Sequence, residues 1–73
     1  MKHKDRKLLF KYIKFLEDRG INYYAVSSYL YGAYALISDF YTTAWRPTLV
    51  SAYYEMVNHV RRFGTYPEKG ENK

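Results

Sequence analysis

Hydrophobic positions along the chain recur with helical spacing in three stretches. In the first, Leu8, Leu9, Tyr12, Ile13, Phe15 and Leu16 share one face at about 100° per residue. Lys7, Lys11 and Lys14 line the opposite face, and Asp18 follows Lys14 by four positions, a spacing that allows an ion pair across one helical turn. The spacing predicts a helix over 4–19, closed by Gly20 in the left-handed conformation that glycine adopts cheaply. Phe10 falls off the apolar face, either exposed or against a second chain.

The second stretch, INYYAVSSYLYGAYALIS, carries no charge from Ile21 to Ser38. Asn22 is a good N-cap residue, and Val26, Leu30, Ala33, Ile37, Phe40 and Ala44 form an i, i+4, i+7 stripe. That pattern predicts a helix over 22–43 with the stripe towards the core. Its other side is a strip of small residues, Ala25, Ser28, Gly32 and Ala35, which lets another helix approach closely. With Tyr31 beside it, this strip is the expected oligomer interface. Gly32 also admits a second reading, as a break that splits the segment in two.

Pro47 separates the second and third helices, since it suits a helix start and pushes Arg46 out of helical geometry. The third helix is expected over 47–63, with Leu49, Tyr53, Met56, Val60 and Phe63 inward and Ser51, Glu55, Asn58 and Arg62 outward. Arg61 and Arg62 complement the dipole of its last turn, and Gly64 ends it. Residues 65–73 are polar and without period, and read as a flexible tail. The expectation is therefore one all-α three-helix domain over 1–64.

Composition adds the oligomer. A chain of 73 residues has a marginal core, and with no cysteine it has neither disulfides nor thiolate metal sites. Ten tyrosines, four phenylalanines and a tryptophan are more than one small core encloses, so a helical homodimer is expected.

The same composition argues against catalysis and against a membrane span. His3 and His59 assemble with no nucleophile, no glycine loop cradles phosphate and no metal spacing occurs. No cofactor, metal or small-molecule substrate is expected. Eighteen helical residues reach roughly 27 Å, close to a bilayer core. Asn22, three serines and five tyrosines dilute the segment's apolarity, and its tyrosines sit mid-span rather than at the interfaces. The basic start leads into a charged amphipathic segment rather than a signal peptide. The expected compartment is the cytoplasm, or a host cytoplasm for a viral gene.

Charge supplies the functional expectation. The formal net charge is +5, and residues 1–19 hold seven Lys/Arg against three carboxylates. Lys4, Lys7, Lys11 and Lys14 form a stripe on the first helix, which Arg61 and Arg62 extend if the first and third helices lie side by side. Such a stripe neutralises phosphates without reading bases. The stretch FLEDRGINYYAVSSYL, 15–30, resembles a helix-turn-helix, with Phe15 and Leu16 in the first helix, Gly20 and Ile21 at the turn, and Val26 and Tyr29 or Leu30 inward on the second. It departs from that motif at Arg19, where an apolar residue is usual, and in having no Lys or Arg on the reading helix. These features suggest a small DNA- or RNA-associated regulator or accessory subunit acting as an oligomer. The alternative is a non-enzymatic protein-interaction module: an assembly subunit, a virion component or an inhibitor of a host protein.

Overall fold

The computed structural model describes residues 3–65. It contains helix α1 (His3–Asp18), strands β1 (Tyr23–Ser28) and β2 (Ala33–Ser38), and helix α2 (Leu49–Phe63). The fold is a mixture of two helices and an antiparallel hairpin, which overturns the all-α three-helix expectation.

The two outer helices form where their amphipathic periods place them. At the end of α1 the Gly20 N–H donates to Glu17 O at 2.9 Å and the Ile21 N–H to Leu16 O at 3.1 Å. With Gly20 at φ +66°, this is a Schellman termination, and Ile21 packs on the cluster that holds Leu16. Helix α2 starts two residues later than expected. Pro47 precedes the helix, and Thr48 is its N-cap, accepting the Ser51 N–H at 3.1 Å in a reciprocal capping box. Gly64 closes α2 with its N–H on Val60 O at 2.8 Å.

The central segment is where the sequence reading fails. Residues 22–43 form no helix but fold back on themselves, β1 pairing with β2 in the register Tyr23↔Ser38 to Ser28↔Ala33. Tyr, Val and Ile suit a pleated surface, and Gly32 at φ +58° sits in the turn, outside helical geometry. A charge-free helix with apolar groups all round would need cover on both sides. Folded in half, the same residues pair alternate backbone groups across the hairpin and need cover chiefly where β2 meets α2. The helix-turn-helix likeness fails for the same reason, because the chain after Gly20 enters a strand.

A third extended segment completes the sheet. Tyr34 and Arg46 exchange backbone hydrogen bonds of 2.7 Å each, and the Thr43 N–H donates to Leu36 O at 3.0 Å. The Leu36 N–H donates to Thr43 Oγ1 at 2.9 Å, and the Ser38 N–H to Tyr41 O at 3.0 Å. β2 therefore lies between β1 and the return segment 41–46.

The core gathers Leu16 from α1, Leu36 from β2, and Ala52, Tyr53, Met56, Val57 and Val60 from α2. Tyr12 meets Tyr54 and Phe15 meets Arg61, so α1 and α2 run in the same direction, and β2 packs against α2. No helix among the described residues is long and apolar enough to cross a membrane. Beyond Thr65, the tail read in 65–73 lies outside the described residues.

Candidate docking surfaces

The basic stripe of α1 survives folding as a surface. Lys4, Lys7, Lys11 and Lys14 are all exposed. Lys14 pairs with Asp18 at 3.5 Å, and among the described residues the other three lysines have no ion-pair partner. The row continues from Lys11 to Phe15 and Arg19, each four residues on. The Arg19 guanidinium carbon lies 3.6 Å from the Phe15 ring centre, and that of Arg61, reaching from α2, lies 5.4 Å from it. Arg19 also donates to Phe15 O at 3.4 Å.

Of the cations expected to extend the stripe, only Arg61 therefore reaches α1. Arg62 points roughly 100° further around α2, near Phe63 and an opening also lined by Tyr41, Asn58 and His59. Arg19 was not foreseen, although its spacing from Lys11 and Phe15 carries the signal.

The expected small-residue interface is not assembled. Ala25 is exposed on β1 and Ser28 is half-buried, its Oγ accepting the Tyr31 N–H at 3.2 Å. Tyr31 and Gly32 are exposed in the turn, while Ala35 is buried in β2 opposite Val26. Two strands and a turn separate what one helix face would have united, so no such helix face exists to pack on another helix.

The hairpin exposes large apolar groups instead. Tyr29 is fully exposed at its tip, Leu30 is 81% exposed, and Tyr31 and Tyr24 are also open. Trp45, on the return segment, is exposed as well. A contiguous exposed apolar patch marks an interaction surface far more often than scattered exposed residues do.

Between the return segment and α2 lies a polar cluster that the sequence did not reveal. Glu55 accepts hydrogen bonds from the Tyr41 hydroxyl at 2.5 Å, Arg46 Nε at 2.6 Å and the Ala44 N–H at 3.2 Å. Burial works against its charge, but the bonds from Tyr41, Arg46 and Ala44 and the Arg46 charge outweigh that, holding its pKa below the ordinary carboxylate value. A carboxylate so occupied braces the loop and is a poor general base. His59 stacks on Tyr41 at 3.8 Å between ring centres, with Phe40 and Phe63 nearby, and its Nε2 is buried without a hydrogen-bond partner among the described residues. Elsewhere in the core the Tyr23 and Tyr53 hydroxyls share a hydrogen bond of 2.9 Å. Burial and that bond, with the Glu17 carboxylate nearby, push the Tyr53 phenol above its ordinary range.

No group of three His, Cys, Asp or Glu among the described residues is arranged to hold a metal ion. Comparison with models of known protein families, with curated proteins and with solved structures gives no match.

Proposed function

We propose that this chain is a non-enzymatic nucleic-acid-associated protein that holds the phosphate backbone on the basic face of α1, with no cofactor. One observation carries the reading: Lys4, Lys7 and Lys11 stand exposed in a row without carboxylate partners among the described residues, and Arg19 and Arg61 continue the row around Phe15. Cations in this arrangement bind phosphate by releasing counterions and confer no base preference. The reading is therefore of a sequence-tolerant accessory protein, DNA or RNA serving alike as the polyanion. A mobility shift with duplex DNA over a salt series tests it. Retention at low salt is expected, with log affinity falling against log salt by about 0.9 per phosphate neutralised. Changing Lys7, Lys11 and Lys14 together to Glu abolishes it, whereas Arg62→Gln leaves it unchanged. Absence of retention by the unaltered chain at low salt overturns the reading.

A second reading is favoured by the bare apolar tip at Tyr29, Leu30 and Tyr31. In it the hairpin docks on another protein and the chain serves as an assembly subunit, a virion component or an inhibitor of another protein. Duplex retention that is absent from the start, together with a protein partner lost on Leu30→Ser, selects this reading over the first.

A further inference from the structure

The direction of the backbone groups in β2 determines what β1 presents outward. Tyr34, Leu36 and Ser38 turn their N–H groups to the return segment. Ala33, Ala35 and Ile37 therefore turn theirs to β1, where they face Ser28, Val26 and Tyr24. It follows that Tyr23, Ala25 and Ser27 direct their N–H and C=O groups away from β2, along an edge that no strand among the described residues flanks. Sheets protect such edges with charges, prolines or bulges. β1 has none of these, and its sequence YYAVSS is neutral throughout.

We infer that β1 pairs antiparallel with β1 of a second copy, about a twofold axis through Ala25. The inference rests on the hairpin being a docking element and is independent of phosphate binding by α1. This register alone engages all three outward residues of each copy: Ala25 faces Ala25, and Tyr23 faces Ser27 in both directions. The smallest side chain then sits where the two copies approach at the axis, and Ala25 is exposed in the single chain. On the other face, the half-buried Val26 of each copy is covered by the exposed Tyr24 of its mate.

The same register carries the hairpin tip to a complementary place. Counting outward from Ala25, Tyr29 comes opposite the second copy's Ile21 and Leu30 reaches its Gly20. Those residues, with Asn22 and Phe40, line an open cleft of about 400 Å³. Each bare tip thus meets the cleft at the far end of its mate's β1, twice over by symmetry. Four tyrosines at about 150 Å² each, with two leucines and the strand backbones, bring the buried area to the order of 1,000 Å², what a specific interface requires. Because α1 packs on α2 and not on the hairpin, pairing leaves both lysine faces outside the junction, and of the basic row only Arg19 borders the cleft that the tip enters.

Light scattering over a concentration series, with circular dichroism to monitor folding, tests this pairing. The unaltered chain is expected at twice its monomer mass. Ala25→Glu and Ala25→Lys each place like charges opposite one another at the axis, and each is expected as a folded monomer. Mixed in equal amounts, the two variants associate again, because Glu now faces Lys. A wild-type monomer at every concentration, a dimer that survives both substitutions, or a mixture that stays monomeric overturns the inference. Duplex retention measured on the same samples reports the phosphate reading separately, so failure of one is not mistaken for failure of the other.

Discussion

Arg46 and Glu55 join the return segment to α2 through an ion pair of 2.6 Å between Nε and Oε1, with only 15% of the Glu55 side chain exposed. The other carboxylate oxygen takes the Tyr41 hydroxyl and the Ala44 N–H. One side chain thus fastens a loop that His59 of α2 also holds by stacking on Tyr41, and the loop in turn occupies the second edge of β2. Among the described residues the hairpin's outer edge stays open while its inner edge is closed from α2.

Glu55 gives the fold an acid sensitivity. Its pKa is depressed in the folded chain, so the stability it contributes is present above the unfolded carboxylate value and is lost as pH falls through the folded one. Urea unfolding between neutral pH and roughly pH 3 is expected to show stability falling on acidification. Glu55→Gln removes that part of the pH dependence and costs about 1.5–3 kcal/mol at neutral pH, the worth of hydrogen bonds to a charged group. An unchanged acid slope in the variant contradicts this role.

Gly32 holds the hairpin turn at φ +58°, and a Cβ built there meets nothing within 4 Å. Its replacement is therefore a matter of backbone strain alone. Gly32→Ala is expected to lower stability by about 1–2 kcal/mol, and Gly32→Asn by less, because asparagine tolerates the left-handed region better. Urea midpoints of the two variants measure the difference. A neutral Gly32→Ala places the turn elsewhere.

Leu36 and Leu30 separate the hairpin from a helix most sharply. Leu36 is fully buried and Leu30 is 81% exposed. Leu36→Ala is expected to cost about 2–5 kcal/mol through the cavity it leaves, and Leu30→Ser to stay within about 0.5 kcal/mol in the monomer. A helical central segment reverses the order, because its stripe holds Leu30 and omits Leu36. Thermal or urea unfolding of the two variants, made in the Ala25→Glu background to keep the chain monomeric, decides between them.

What was legible in the residues was the part governed by local repetition. The periods of α1 and α2, the stop at Gly20 and the lysine row from Lys4 to Lys14 all follow from interactions within a few residues along the chain. The charge-free centre offered no such signal. Val26, Leu30, Ala33 and Ile37 fit a helical stripe, yet with no charged residues to mark a wet face the run was equally open to strands. Its conformation rests on partners distant in sequence: Ala35 across from Val26, Arg46 beside Tyr34, and α2 over Leu36. The same holds for the surfaces. Spacing alone lined up the lysines, but Arg61 joins Phe15 only because α1 and α2 pack side by side, and Glu55 gathers Tyr41, Ala44 and Arg46 only once the return segment folds over it. The open edge of β1 is likewise a property of the assembled sheet, since which backbone groups face outward is decided by what lies on the far side of β2.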